Sequence, residues 1–117
     1  DLAAVITPDA LVGMSELAAD VYVDALVLDY IARLVDATRS ADEVRLGVSI
    51  RGALALTRAS RASAAAQGRT FATPDDVKRL AVPVLAHRMV LDPQAKFAGV
   101  TAAALVADIL REVPVPA

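Results

Sequence analysis

Arg51 has the residue type and the position to hold an anion. It lies in the stretch GVSIRGALALTRASRASAAAQG, from Gly47 to Gly68. Ser49 has the side chain of an N-cap, Ile50 opens a helix, and Gly68 supplies a left-handed stop beyond its end. Arg51 then falls in the first turn, where the helix dipole places about half a positive charge. A cation there costs ~0.3–1 kcal/mol unless an anion shares the site. Phosphate reverses the sign, because first-turn N–H groups and a planar guanidinium both suit its oxygens. The competing reading is a solvated or salt-bridged arginine, and residue types alone leave both open. Arg58 follows seven residues later on nearly the same helix face, whereas Arg61 points elsewhere, into solvent.

The elements that must position this turn can be read around it. Ala53, Leu54, Leu56, Ala59, Ala62, Ser63 and Ala66 are mostly small, which suits a central helix approached from several sides. Upstream, Asp1–Ile6 is a short apolar segment. Thr7-Pro8-Asp9 predicts a first helix from Pro8 to about Ala19 that buries Leu11, Met14, Leu17 and Ala18. Val21-Tyr22-Val23 reads as an extended link. Asp24 caps a second helix to about Thr38, with Val27, Tyr30, Ile31, Leu34 and Val35 on one apolar stripe and Asp29–Arg33 paired on another face. Ser40–Leu46 is polar and reads as a loop.

Downstream, Thr73-Pro74-Asp75-Asp76 is the strongest capping signature in the chain. Its helix buries Val77, Leu80, Ala81, Val84 and Leu85. Pro83 predicts a kink or break, and His87-Arg88 closes the helix where positive charge suits the dipole. Met89–Leu91 predicts a short strand that pairs with Thr70–Ala72. Asp92-Pro93 is a turn and Gln94–Gly99 an irregular loop. Thr101 caps a last helix to about Glu112, with Leu105, Val106, Ile109 and Leu110 inward. Pro114-Val115-Pro116 ends it.

The composition fits this mainly α reading: one domain over residues 1–117, a small bundle of about five helices with a short two-stranded ribbon. The chain is 56% apolar but only 3% aromatic, an excess of Ala, Val and Leu that favours closely packed helices over sheet. A net charge of −2 argues against nucleic-acid binding as the main activity. The absence of Cys excludes disulfides, thiolate metal sites and cysteine nucleophiles, and a single His, His87, excludes His-rich metal sites. No metal site is expected. Asp24, Asp29 and Asp36 do not converge on one face and read as capping and solvated groups. His87 has no Ser, Cys or acid in a catalytic spacing. No signal peptide or membrane span is visible, and the expected location is cytoplasmic.

No phosphate loop, metal motif or nucleophile elbow is present, so the chain alone is not expected to be an enzyme. Four stretches, in combination and order, resemble the C-terminal lid domain of MoxR-family AAA+ ATPases over nearly the whole chain. They are Ile6–Asp9; Val21–Val23 with Leu28–Ile31 and Leu34-Val35 through Thr38-Arg39; Gly47–Leu56, similar to the family's G-A-S-P-R-A stretch; and Gly68-Arg69 through Thr73–Val77, Pro83–Arg88 and Gly99–Thr101.

The resemblance implies that Arg51 is the sensor 2 residue, reaching the γ-phosphate of ATP with Mg bound in the parent protein, and that Ser49 belongs to the same nucleotide-binding turn. It implies an α/β ATPase domain in the same protein, absent from this piece, which begins with Asp1 rather than Met. It also implies subunits in a ring, usually a hexamer, von Willebrand factor A domain partners, and a chaperone-like remodelling or metal-insertion role. The sequence departs from the family with Ile50 in place of Pro and with Gly52, both of which loosen the helix start. The alternative reading is a stand-alone helical protein-interaction module. A DNA-binding helical domain is disfavoured by the acidic balance.

Overall fold

The computed structural model describes residues 18–116. The expected first helix lies outside the described residues except for Ala18 and Ala19, which are helical. The first described long helix, α1 (Ala25–Ser40), forms on the predicted stripe. Val27, Tyr30, Ile31, Leu34 and Val35 are all buried, and Thr38 extends the stripe by one turn. Burial of each large apolar side chain contributes about 1.5–3 kcal/mol, which outweighs a weak start: Asp24 holds the N-cap position but makes no side-chain cap bond. Asp29 and Arg33 pair at 2.8 Å on the exposed face.

α2 (Ile50–Ala66) follows the predicted bounds and ends in a Schellman motif. The Gly68 N–H donates to the Ala65 carbonyl (3.0 Å) and the Arg69 N–H to the Ala64 carbonyl (2.9 Å), with Gly68 at φ 74°. Nothing lies within contact of a Cβ at Gly68, so substitution there strains only the backbone. Gly68→Ala is expected to cost ~1–2 kcal/mol in thermal or urea denaturation.

α2 is not the centre of the bundle. It buries one narrow stripe, Gly52, Leu56, Ser60 and Ala64, and leaves Arg51, Leu54, Arg58 and Ala62 exposed. The central helix is α3 (Pro74–Leu85), which packs on α2, on α1 and on the last helix, α5 (Ala102–Glu112). Small residues let α2 lie close against α3, but they offer too little apolar area to make it the core. α3 buries Val77, Ala81 and Leu85, and half-buries Leu80, Val82 and Val84.

The capping box of α3 is complete. Asp76 N–H donates to the Thr73 hydroxyl at 3.4 Å, and Thr73 N–H donates to the Asp76 carboxylate at 2.8 Å. Pro83 does not break the helix. It sits on the exposed side, and α3 continues to Leu85 before tightening into a 3-10 turn, Ala86–Arg88.

The ribbon exists, but with other partners than predicted. β2 (Val90–Leu91) pairs antiparallel with β1 (Val44–Leu46), inside the stretch read as a loop. Thr70–Ala72 instead bridges in parallel to Tyr22, whose N–H donates to the Thr70 carbonyl and whose carbonyl accepts from Ala72 N–H, both at 2.9 Å. The Asp92-Pro93 turn opens a short helix, α4 (Pro93–Phe97), where an irregular loop was expected. Asp92 caps it by accepting from Gln94 N–H at 3.0 Å. α5 starts as predicted, with the Thr101 hydroxyl accepting from Ala104 N–H at 3.1 Å, and buries Leu105, Val106 and Ile109.

Candidate functional site

The turn that carries Arg51 is held from behind by the end of α1. A Cβ on Gly47 would stand 2.8 Å from the Arg39 Cα and 2.9 Å from its backbone nitrogen, so only glycine permits this approach. The next residue, Val48, is fully buried. Its N–H donates to the Thr38 hydroxyl (3.0 Å), its carbonyl accepts from Arg39 Nε (3.0 Å), and the Thr38 hydroxyl itself donates to the Val35 carbonyl (2.6 Å). Both backbone polar groups of Val48 are therefore satisfied by α1 side chains, which fixes where α2 begins. Thr38→Val keeps the shape of the side chain but strands the Val48 N–H. It is expected to cost ~1–3 kcal/mol in denaturant unfolding.

From that clamp the chain turns outward. Ser49 is extended (φ −83°, ψ 177°) and exposed, and its side chain makes no cap bond. Its carbonyl accepts from Gly52 N–H (2.9 Å) and Ala53 N–H (3.3 Å). The N–H groups of Ile50 and Arg51 have no partner among the described residues. The Arg51 side chain is exposed and forms no ion pair among the described residues. From Arg45 to Pro74 the sequence contains Arg45, Arg51, Arg58, Arg61 and Arg69, and no Asp or Glu.

The structure places Ser49 at the N-cap position and Arg51 in the first turn of α2, on one open turn. The residues that position them, Thr38, Gly47 and Val48, were not singled out by the sequence reading. The available signal was Gly47, whose need for close backbone approach depends on which segment it meets. Arg58 is exposed on the Arg51 side of α2. Arg61 departs from expectation: it is half-buried, and its Nε is enclosed without a hydrogen-bond partner among the described residues.

Gly52 lies against Val48: a Cβ on Gly52 would overlap Val48 Cγ1, so the Val48 side chain fills the space that a larger residue at 52 would need.

A second polar cluster is structural. Asp76 is fully buried at the α2–α3 contact. Its carboxylate accepts from Arg69 Nη1 (2.8 Å) and Nη2 (2.6 Å), Arg79 Nη2 (3.0 Å), the Ser63 hydroxyl (3.3 Å), and the Thr73 N–H (2.8 Å) and hydroxyl (3.2 Å). Burial alone would push this carboxyl up; the bonds from Arg69 and Thr73 and the Arg69 charge outweigh it and hold the group well below the usual carboxylate range. With every acceptor position engaged, Asp76 is a lock between helices.

His87 is exposed on the 3-10 turn. Asp36 lies 3.8 Å from Arg39, as a solvated pair. Among the described residues, no group of three or more His, Asp or Glu side chains could hold a metal ion, and no helix is long and apolar enough to cross a membrane.

The sequence model of the AAA lid domain matches residues 36–109. The chain is 43% identical over 97 residues to YeaC of Bacillus subtilis, itself uncharacterised, covering 83% of this chain and 30% of that protein. It is 30% identical over 115 residues to the chaperone MoxR1 of Mycobacterium tuberculosis, covering 91% of this chain and 30% of that one. Protein MoxR of Paracoccus denitrificans is 47% identical over 60 residues, 49% of this chain and 18% of that one. A crystal structure of a candidate ATPase from Cytophaga hutchinsonii superposes with a TM-score of 0.82 at 28% identity, over 87% of this chain and 34% of that chain. The chain spans a third or less of the length of the curated relatives it matches. A matched family model over most of the chain, relatives named MoxR and the same helical architecture lead to one assignment: this chain belongs to the AAA lid domain family, as a C-terminal lid of the MoxR-like AAA+ type.

Proposed function

We propose that this lid contributes Arg51 to the ATP site of a longer, ATP-hydrolysing protein and transmits nucleotide state to the rest of it. The observation that carries the reading is the open first turn of α2. Two backbone N–H groups and an unpaired guanidinium face outward at the positive end of a helix dipole, in a run of sequence without acids. These groups fit a phosphate. Mg2+, which needs oxygen ligands, would be held by residues outside this chain.

When bound, ATP supplies the transferable phosphoryl group. Arg51 would bind its terminal oxygens and stabilise the charge that spreads over them as the bond to the leaving group breaks. Ser49 lines the same turn, with its hydroxyl free to donate. The clamp through Thr38, Gly47 and Val48 makes a displacement of Arg51 a displacement of α1 and α2 together, which is how loss of the terminal phosphate would reach the whole lid.

On this reading an α/β ATPase domain belongs to the same polypeptide, and subunits assemble in a ring, most simply a hexamer, with nucleotide at subunit contacts. The relative named a chaperone supports a remodelling role. Metal-cofactor insertion, von Willebrand factor A domain partners and a cytoplasmic setting belong to the same proposal. The test is ATP turnover by the longer protein carrying this lid, wild type against Arg51→Ala. A large fall with an intact fold supports the reading; equal turnover removes Arg51 from the site.

A further inference from the structure

Aromatic side chains are scarce in this chain, yet they gather. Of its two Tyr and two Phe residues, Tyr22, Tyr30 and Phe71 line one groove beside α1. Leu26, Asp29, Tyr30 and Arg33 stand at i, i+3, i+4 and i+7 and so share one face of α1. The segment after α5, Pro114–Pro116, lies along that face as a strap and encloses a cavity of about 150 Å3 with it. Val113 enters the strap extended (φ −80°, ψ 121°). The two prolines keep it so, since each fixes its own φ and holds the residue before it out of the helical region. Pro116 also borders a second, larger cavity of about 380 Å3, where the groove continues between Leu26, Tyr22, Phe71 and Pro74.

The walls of this larger cavity are aromatic, exposed and fixed. Tyr22 is 65% exposed and Phe71 50%. The parallel bridge between them sets their side chains next to one another. Arg69 donates to the Phe71 carbonyl (3.1 Å) and stands 6.0 Å from the centre of the Phe71 ring, which holds that wall in place. The rim is acidic. Asp24 lines the cavity, makes no cap bond to α1 and forms no ion pair among the described residues. Asp75 is exposed and likewise unpaired. Burial, and then the Asp75 charge, push the Tyr30 hydroxyl up, which sets that carboxylate beside the groove. The nearby cations are already engaged, Arg33 by Asp29 and Arg69 by Asp76.

We infer that this groove is a docking site for an extended, proline-containing peptide of a partner protein, with a basic residue beside its prolines. The Pro-Val-Pro strap of the chain itself shows which backbone the groove accepts, and a partner segment would continue its line past Pro116. Proline rings pack on aromatic rings, and an extended proline segment loses little conformational freedom on binding. The unpaired carboxylates of Asp24 and Asp75 select a cation at its edge. This role is independent of ATP.

The test is fluorescence anisotropy of a labelled synthetic peptide, Gly-Pro-Val-Pro-Pro-Arg-Gly, titrated with the longer protein that carries this lid. The peptide repeats the strap and adds a proline and a cation. Saturable binding is expected, and a version with glycine at every proline should not bind. Tyr22→Ala and Phe71→Ala are each expected to weaken binding roughly tenfold. Both side chains are exposed and the bridge between their segments is made by backbone groups, so circular dichroism should not change. Asp24→Asn is expected to weaken the arginine peptide roughly two- to fivefold and to leave a version with glutamine in place of arginine unaffected. Absence of saturable binding up to about 1 mM overturns the inference. So does equal binding by the glycine version, or wild-type affinity in both aromatic variants. Self-association of the protein that is lost in Phe71→Ala, with no peptide binding, assigns the groove to a neighbouring copy and also overturns it.

Discussion

Arg51→Ala is expected, on the nucleotide reading proposed above, to reduce ATP turnover of the longer protein by roughly 10²–10³-fold while leaving the lid as stable as before, or slightly more stable. On that reading the rate effect follows from losing one cation at the transferring phosphoryl group, and phosphoryl transfer depends almost entirely on positioning and charge stabilisation. The stability effect has the opposite sign. Arg51 is exposed and unpaired among the described residues, so its removal breaks no contact there and relieves a cation at the positive end of the α2 dipole, a gain of ~0.3–1 kcal/mol. A residue that costs stability and supports turnover is the signature of a functional group. Steady-state turnover and thermal denaturation of the isolated lid, measured together, check both halves. A rate loss accompanied by a large fall in thermal midpoint would mean that Arg51 acts through the fold.

Asp76→Ala is expected to be the most damaging single substitution for the fold. It removes a fully buried carboxylate that joins Arg69, Arg79, Ser63 and Thr73, and it also removes half of the α3 capping box. Breaking a buried ion pair by deleting one partner costs about 3–5 kcal/mol. Arg69 and Arg79 both reach solvent in part and can rehydrate, which favours the lower end. The thermal midpoint of the lid should fall by roughly 10–20 °C. Arg69→Ala should cost less, and the double substitution less than the sum, because both remove the same interaction.

The same group sets an acid limit. Its carboxyl is held below the ordinary range in the folded lid, so the unfolded chain takes up the proton first. The stability it contributes is complete above about pH 4, the ordinary carboxylate value, and is lost as pH falls from there through the folded-state value. The difference in unfolding free energy between wild type and Asp76→Ala should therefore be flat from pH 7 to about 5 and shrink below about 4. A constant difference into strong acid would show that the carboxylate is not held in its charged form.

Much of this architecture could be read from local chemistry. The Thr73-Pro74-Asp75-Asp76 start, the Gly68 stop, the Thr101 cap and the α1 stripe each depend on residues within a turn or two of one another, and each forms where predicted. The register of Arg51 in the first turn of α2 follows for the same reason.

What the sequence could not supply was partnership between distant segments. Val90–Leu91 and Thr70–Ala72 are both extended, but which strand each meets depends on how the helices between them pack. The structure pairs the first with Val44–Leu46 and the second with Tyr22. The small residues of α2 suggested a central helix, whereas the larger apolar faces of α3 took that place, because buried area rather than closeness of approach decides which helix the others gather around. Asp76 read as a capping acid from its neighbours in sequence. Its role as a lock appears only when Arg69, seven residues earlier, folds back over it. The candidate site was thus legible locally, as a cation placed in the first turn of a helix. Its position, clamped by Thr38 and Arg39 through Val48, was decided in three dimensions, where hydrogen bonds between segments far apart in the chain are satisfied only once the bundle has closed.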